Sequence, residues 1–199
     1  DRLRAIIDTA ILQAGGNATH TIVAGGRQSS DPHQRGHGEL RADEPIVIDI
    51  FPRSQRTGYF GDVTRTVVRG KASEFTRAMY AAVARAQSAA LARLRDGSRG
   101  AEIHGVAEDS LRESGYKTTR RNGHMEGFFH GTGHGLGLEI HEAPRLNRRS
   151  RDTLLPGHVV TVEPGLYYPE VGGVRLEDVV LITRKAPRNL TKLEKQLEI

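Results

Sequence analysis

The chain contains no cysteine, few aromatic residues and no apolar run that approaches the length of a membrane span. The absence of cysteine excludes disulfide scaffolds, thiolate zinc sites and thiol nucleophiles. A length of 199 residues with 37% hydrophobic content is enough for one well-buried domain, so we expect a single domain over residues 1–199. We also expect a cytoplasmic protein with no membrane partner.

The chain carries a net positive charge, but this charge does not indicate a particular binding partner. A formal net charge of +5 and a pI near 9.8 permit weak, salt-sensitive attraction to polyanions. The basic residues are scattered, however, and aromatic residues make up only 5% of the chain. We therefore predict a solvated basic surface and no nucleic-acid partner.

Apolar periodicity predicts a mixture of helices and strands. Residues 3–11 repeat at helical spacing and predict an amphipathic helix that stops at Gly15. Residues 25–44 are rich in Gly, Ser, Asp and His and indicate an irregular functional loop carrying His33 and His37. We predict further helices at about 73–97 and 101–113, an antiparallel strand pair at 46–51 and 58–68, and strands at 19–24, 128–130, 137–141, 158–168 and 173–183.

Four carboxylates occur in strands that are otherwise apolar: Asp49, Asp62, Glu163 and Glu177. Burying such groups without compensation costs several kcal/mol each, and carboxylates that share a pocket raise one another's pKa. Divalent cations would offset both effects. A glycine-rich segment, 130–137, adds the imidazoles of His130 and His134. Carboxylate and imidazole together suit Mn, Co, Fe or Zn, and carboxylates can bridge a pair of such ions.

The acid-bearing strands form two similar pairs. In each pair an apolar strand ends in an acid, the second acid follows after a similar interval, and a helix precedes the pair. Two such units related by a pseudo-twofold would place the acid pairs on opposite sides of one cleft. We therefore predict two halves, at about residues 1–100 and 101–199.

The two histidines of the glycine-rich segment have the spacing of a helix, but the residues around them do not favour a helix. His130 and His134 are four positions apart, yet the alternating glycines make a helix there very costly, which excludes a helical zinc motif. We expect glycine backbone packed closely against the site, or turns with positive φ. His141 lies seven positions after His134 and reaches the same cleft only if the chain bends at Gly135 or Gly137.

Other charged and polar residues, some of them beside the candidate ligands, are not needed as metal ligands. Asp178 follows Glu177 and points to the other face of a strand, so we interpret it as structural. Arg175 shares the face of Glu177. It could orient that carboxylate or extend its guanidinium to the surface, and we expect the first because the strand is otherwise apolar. Serine hydrolase chemistry is disfavoured because no serine lies in a Gly-x-Ser-x-Gly turn. The remaining histidines have no companion residues and indicate surface or core packing: His20, His104, His124 and His158.

Five segments together resemble the signature motifs of the pita-bread metallopeptidases, which include methionine aminopeptidase, Xaa-Pro aminopeptidase and Xaa-Pro dipeptidase. The resemblance extends from about the His33 loop to Thr183. It implies an α+β pita-bread fold, with two pseudo-symmetric helix-plus-antiparallel-strand halves around a central metal cleft. The segments are Ile48–Asp49, Gly61–Thr66, His130–Glu142, Val162–Tyr167 and Val174–Asp178.

The resemblance also implies a role for each matching residue. Asp49 would bind one metal ion, His134 and Glu163 the other, and Asp62 and Glu177 would bridge the two. The implied cofactors are two divalent ions, Mn, Co, Zn or Fe, with Mn favoured. Glu163, His141 and His130 are the implied catalytic residues, and His33 and Arg175 the implied substrate-binding residues, with His37 as the alternative to His33.

The histidine four positions before His134, together with Arg175, resembles the proline-directed branch of the family. The implied activity is hydrolysis of an N-terminal Xaa-Pro bond by a metal-bridging hydroxide, with Glu163 carrying the proton and a substrate that has proline in second position. The alternatives are a catalytically inactive binding protein of the same fold and methionine aminopeptidase-like specificity, and creatinase-type hydrolysis is disfavoured. The resemblance implies that an N-terminal domain, or the start of the first helix, lies ahead of Asp1. The loop between Asp49 and Asp62 is about two residues longer than is usual in the family. The sequence leaves open whether the protein forms a homodimer.

Overall fold

The computed structural model describes all residues, Asp1–Ile199, as an α+β arrangement of three α-helices and fourteen short strands. The Ser73 hydroxyl caps the second helix by accepting a hydrogen bond from the Thr76 N–H at 3.1 Å. The first helix buries none of its residues, although its apolar positions repeat as predicted. The helices are α1 (Arg2–Gln13), α2 (Glu74–Arg93) and α3 (Gly100–Glu113), and a 3₁₀ helix spans Gly26–Ser30. None of the helices is long and apolar enough to cross a membrane.

The strands form one three-stranded sheet, one five-stranded sheet and three two-stranded ribbons, all with antiparallel pairing. The three-stranded sheet has the order β2-β3-β5 and the five-stranded sheet the order β14-β13-β10-β8-β9. The strands are β1 (Gly16–Asn17), β2 (Ile22–Gly25), β3 (Pro45–Ile50), β4 (Arg53–Ser54), β5 (Val63–Val68), β6 (Thr119–Arg121), β7 (His124–Glu126), β8 (Gly133–Gly135), β9 (Glu142–Leu146), β10 (Val159–Val162), β11 (Gly165–Tyr168), β12 (Gly172–Arg175), β13 (Asp178–Leu181) and β14 (Arg188–Asn189).

The two long strands predicted in the last third of the chain are each broken in two. Glu163 and Pro164 separate β10 from β11, because proline has no N–H to donate to a ladder. Leu176 and Glu177 likewise separate β12 from β13. Both breaks fall at predicted ligands, so each acid lies where its strand leaves the sheet.

The predicted strands at 128–130 and 137–141 are wrong. The pairing segments are instead β8 and β9, with an irregular register between Gly133 and Gly135. The β6–β7 hairpin was not predicted. Its turn, Asn122-Gly123, has positive φ at both residues, 50° and 83°, and an Asn-Gly pair is a strong sequence signal for such a hairpin.

The main hydrophobic core contains 19 buried residues and joins the two longest helices to the strands of the five-stranded sheet and the β11–β12 ribbon. Helix α2 packs against α3, β10, β11 and β12. This core contains residues from before and after residue 100, so it does not separate the chain into two halves. The division into two halves therefore stays a prediction. At its centre the buried side chain of Gln87 donates from Nε2 to the carbonyl oxygens of Val162 (2.9 Å) and Leu176 (3.1 Å).

Candidate metal centre

All five predicted ligands line one cavity of about 320 Å³ between the two larger sheets. Asp49 lies near the end of β3 and Asp62 just before β5, so the antiparallel pairing of these strands brings them to the same edge. His134 is the central residue of β8. Glu163 and Glu177 occupy the two strand breaks. The predicted ligands are Asp49, Asp62, His134, Glu163 and Glu177.

The distances within this set suit metal coordination. Ligand atoms of Asp62, His134 and Glu177 all lie within 4.8 Å of one another. His134 Nε2 is 3.3 Å from Glu163 Oε1 and 3.8 Å from Asp62 Oδ2. Its Nδ1 is 3.0 Å from the Gly135 carbonyl oxygen, which can only accept, so Nδ1 carries the proton. In the neutral ring the lone pair on Nε2 therefore faces the carboxylates, which is the tautomer that a metal ligand needs.

The glycines beside His134 are required by the close approach of other strands. A Cβ at Gly133 would collide with the carbonyl oxygen of Thr161, and one at Gly135 with that of Ala143. The His134 N–H also donates to Thr161 Oγ1 at 3.0 Å. The expectation of tightly packed glycine backbone is confirmed at these two positions.

The carboxylates shift one another's ionisation strongly. Burial, followed by the charges of Asp49 and Glu163, raises the pKa of Asp62 well above its usual value. Burial, followed by the charges of Asp62 and Glu163, does the same to the pKa of Glu177. Burial also raises the pKa of Asp49, although Arg175 partly offsets it. Such a cluster resists full ionisation unless positive charge is supplied between its members.

Glu163 is the exception within the cluster. Burial by itself would raise its pKa, but when the His134 ring is protonated on both nitrogens, its hydrogen bond and its charge outweigh burial and lower the pKa of Glu163 to about 2. Among the other acids, Asp49 Oδ1 is buried and has no hydrogen-bond partner. An orphaned carboxylate oxygen is costly unless a cation satisfies it. The donor set, the His134 tautomer and this oxygen together fit divalent metal ions.

Arg175 holds a different carboxylate from the one predicted. Its Nη2 donates to Asp49 Oδ2 at 2.6 Å and its Nη1 to the Tyr167 hydroxyl at 3.0 Å. Glu177 accepts instead from Thr64 Oγ1 at 2.7 Å. The prediction assumed regular alternation from Arg175 to Glu177, whereas β12 ends at Arg175. Arg175 lines the cavity, and its role in substrate binding stays a prediction.

Tyr167 is a site residue that sequence reasoning did not single out. Its buried hydroxyl is 2.9 Å from His130 Nε2. His130 Nδ1 is 2.7 Å from the Gly131 carbonyl oxygen and must donate to it, and burial lowers the pKa of His130 to about 4, so the ring is neutral. Tyr167 therefore accepts from Arg175 and donates to His130. The signal in the sequence was its place four residues after Glu163.

The remaining predicted residues also reach the cavity. The ring centroids of His141 and His134 lie 4.4 Å apart, with the planes at 89°, so the chain bends between them as required. His33 lines the cavity. Its alternative, His37, instead lines a separate groove beside α1. Of the long loop between the first two acids, only Phe51 lines the cavity, because β4 pairs with β1.

Asp178 faces away from the cavity, as predicted. Its Oδ1 accepts from Arg65 Nη2 at 2.8 Å and its Oδ2 from Lys195 Nζ at 2.6 Å. Arg65 Nη1 also donates to the carbonyl oxygens of Thr64 and Glu177, at 2.9 and 2.6 Å. The Arg65–Asp178 pair thus supports the two ligand-bearing segments from behind.

The fold and the site together define the class of pita-bread metallopeptidases. Two pairs of acids at strand ends and a histidine on a glycine-lined strand meet in one cavity between antiparallel sheets. The chain belongs to metallopeptidase family M24, whose pattern matches residues 1–184. It is 38% identical over 181 residues to the Xaa-Pro dipeptidase of Pyrococcus furiosus, a match that covers 90% of this chain and 49% of that protein.

Solved structures agree with this assignment. The prolidase from Pyrococcus horikoshii OT3 matches with a TM-score of 0.89 and 35% identity, covering 97% of this chain and 54% of that one. The X-Pro aminopeptidase from Thermotoga maritima matches with a TM-score of 0.88 and 31% identity, covering 98% and 54%. The predicted α+β pita-bread fold is confirmed. The chain spans about half the length of the curated relatives it matches.

Proposed function

We propose that a protein containing this chain is a metal-dependent peptidase that hydrolyses the bond between an N-terminal residue and a following proline. The observation that carries the proposal is the convergence of five ligand side chains on one cavity, with a buried carboxylate oxygen of Asp49 that lacks any partner in the protein. The name of the P. furiosus relative, Xaa-Pro dipeptidase, supports the substrate class. A cytoplasmic location belongs to the same proposal.

The proposed cofactors are two divalent cations, with Mn favoured. Asp49 would hold one ion and His134 and Glu163 the other, with Asp62 and Glu177 placed to contribute to their binding. When bound, such ions would lower the pKa of water towards neutrality and so supply a hydroxide nucleophile for the peptide carbonyl.

The chain's own residues supply proton transfer and positioning. Glu163 takes the proton from the nucleophile and returns it to the leaving proline nitrogen. His141 faces the cavity beside His134 and donates a hydrogen bond to the carbonyl oxygen as negative charge develops on it. His130 is held by Tyr167 and Gly131, so it presents a fixed neutral ring to the substrate backbone. Arg175 fixes Asp49.

The test is hydrolysis of an Xaa-Pro dipeptide and of an Xaa-Pro tripeptide by the protein supplied with Mn or Co. We expect release of the first residue, and no release after chelation of the metal. Replacing Glu163 by glutamine should lower kcat by about 10²-fold or more, the scale of a lost acid–base group. Intact activity in E163Q, or no cleavage by the metal-replete protein, would overturn the proposal.

Two alternatives are separated by further measurements on the same sample. Fewer than about one bound ion per chain under metal-replete conditions would favour a binding protein of the same fold, because such a protein need not hold a coupled metal pair. Cleavage of an N-terminal methionine followed by alanine, with no cleavage before proline, would favour methionine aminopeptidase-like specificity.

A further inference from the structure

A second cavity adjoins the metal centre and is not used by the chemistry described above. It has a volume of about 450 Å³ and shares His130, Gly131 and Asn147 with the metal-centre cavity. Pockets that hold ligands typically have volumes of roughly 300–1,000 Å³. The two cavities thus form one cleft that continues past His130.

The walls of this second cavity combine apolar surface with positive charge. Phe128, Phe129 and Met125 form the apolar part, and Arg148 and Arg149 lie on the rim. Arg148 is paired with Glu108. Arg149 is exposed and its guanidinium makes no hydrogen bond or ion pair within the protein, so the rim has one uncompensated cation.

A buried histidine adds a polar group to the wall. His104 was expected to serve packing alone, and it does pack against Phe128, with ring centroids 5.3 Å apart. Its Nδ1 is 2.9 Å from Thr132 Oγ1. The ring is buried, yet it lines the cavity, and its Nε2 makes no hydrogen bond with the protein. A ring nitrogen that reaches the cavity without a protein partner is available to a ligand or to water.

The part of a peptide substrate that this cavity can receive depends on which residues lie on each side of the cleaved bond. This step rests on the proposed function: an enzyme that removes one N-terminal residue has only that residue on the amino side of the cleaved bond. Every other part of a longer substrate lies on the carboxyl side. A continuation of the cleft could receive the side chain of the N-terminal residue or the residues that follow the proline. The N-terminal residue carries the free ammonium group, which the uncompensated charge of Arg149 would repel, so the continuation is assigned to the residues that follow the proline.

We propose that the cavity between α3, the β6–β7 hairpin and the turn at Asn147–Arg149 is a subsite for the residue after the substrate proline, and that Arg149 selects a carboxylate there. The substrate class is thereby peptides of three or more residues with an acidic third residue. The apolar wall contacts the stem of that side chain, and Arg149 at the rim pairs with its charge.

The test compares Ala-Pro-Glu amide with Ala-Pro-Lys amide, so that the third side chain supplies the only variable charge. We expect the metal-loaded protein to prefer the glutamate peptide by about threefold to fivefold in kcat/KM, the scale of one partly exposed ion pair. The preference should weaken as salt is added. Charge reversal in R149E should invert it. Because the ratio is taken within each variant, general losses of activity cancel.

The matched control is R151E, which reverses the charge of an exposed arginine two positions further along and outside the cavity. R151E should keep the preference for glutamate. An equal rate for both peptides in the unmodified protein, or the same inversion in R151E, would overturn the subsite.

A binding measurement separates this proposal from the proposed function. If no Xaa-Pro substrate is cleaved, the proposed function fails, and calorimetry with Pro-Glu amide and Pro-Lys amide still tests the cavity. Tighter binding of Pro-Glu amide that R149E removes supports the subsite. Equal affinities overturn it, even in a protein that cleaves Xaa-Pro dipeptides.

Discussion

Tyr167 links two buried side chains of the cavity, Arg175 and His130, each of which has a further partner in the protein. Its hydroxyl accepts from Arg175 Nη1 at 3.0 Å and donates to His130 Nε2 at 2.9 Å. Burial, opposed by Arg175, raises the pKa of Tyr167 to about 12, so the hydroxyl keeps its proton at neutral pH. The phenol therefore connects the residue that holds Asp49 with a histidine of the cavity.

Replacing Tyr167 by phenylalanine should lower both stability and activity. The change removes one hydroxyl and leaves a buried guanidinium N–H and an imidazole nitrogen unpaired, at a cost of about 1–3 kcal/mol. Urea unfolding measures the stability, and kcat/KM on an Xaa-Pro peptide measures the activity. Y168F is the control, because the hydroxyl of the neighbouring Tyr168 makes no hydrogen bond with the protein. Equal effects of Y167F and Y168F would contradict the role assigned to Tyr167.

At the scale of single residues, the sequence predicted which side chains meet but not which partners they take. Acids in apolar strands are chemically conspicuous, so Asp49 and Glu163 could be recognised without coordinates. The partner of Arg175 could not, because it depends on β12 ending at that residue. Tyr167 was missed because a tyrosine in an apolar strand is usually ordinary core.

At the scale of elements, α2 supports the metal centre from the side opposite the cavity. The Gln87 amide donates to the carbonyl oxygens of Val162 and Leu176, which directly precede Glu163 and Glu177. One side chain thus fixes both strand breaks. Sequence periodicity placed residue 87 within a helix, but it could not indicate that this polar side chain crosses the core to two separate strands.

Replacing Gln87 by methionine should destabilise the protein and weaken its metal site. Methionine has a similar length, so packing is largely kept while two buried carbonyl oxygens lose their donor, at a cost of about 1–3 kcal/mol each. Urea unfolding and calorimetric titration with Mn measure the two effects. S88A, an exposed position on the same helix, is the control. A stability loss in Q87M with unchanged metal affinity would show that Gln87 supports the core alone.

Helices and strands could be predicted where their signals are local in the sequence, and not where they depend on the folded chain. Helix α2 lies inside the predicted range because its apolar face and Ser73 cap are local signals. The strands around Glu163 and Glu177 were predicted as continuous because apolar composition does not show where a ladder stops. The second cavity involves α3, a hairpin and a distant turn, and this juxtaposition of elements exists only in the folded chain.

At the scale of the whole molecule, the metal centre is the point where the two larger sheets meet. The Glu177 N–H donates to the carbonyl oxygen of Thr64 at 3.1 Å, and Thr66 Oγ1 donates to that of Arg175 at 2.9 Å. These bonds join β5 to the β12–β13 region beside the cavity. The predicted metal ligands come from both sheets, so the stability of the fold should depend on the charge where the sheets meet.

The pH dependence of the metal-free protein follows from the raised pKa values. Asp49, Asp62 and Glu177 have pKa values raised above their usual 3.8, 3.8 and 4.5, so their protonated forms stabilise the fold below those values, and this stabilisation is lost as pH rises through the raised values. The pKa values of Glu163 and His130 are lowered, so their contributions to stability depend on pH in the opposite direction. The Glu163 contribution is lost as pH falls from 4.5 towards about 2, and that of His130 as pH falls from 6.5 towards about 4.

We therefore expect the stabilisation by Mn, measured as the difference in Tm between metal-saturated and chelator-treated protein, to grow as pH rises from about 5 to 8. The metal replaces the protons that the clustered acids otherwise retain, and ligand in 100-fold excess over its Kd adds about 2.7 kcal/mol. E177Q should abolish most of this difference. D178N should lower Tm with and without metal alike, because Asp178 pairs with Arg65 and Lys195 outside the cavity. A difference that is independent of pH, or equal losses in E177Q and D178N, would mean that the cluster does not hold the ions.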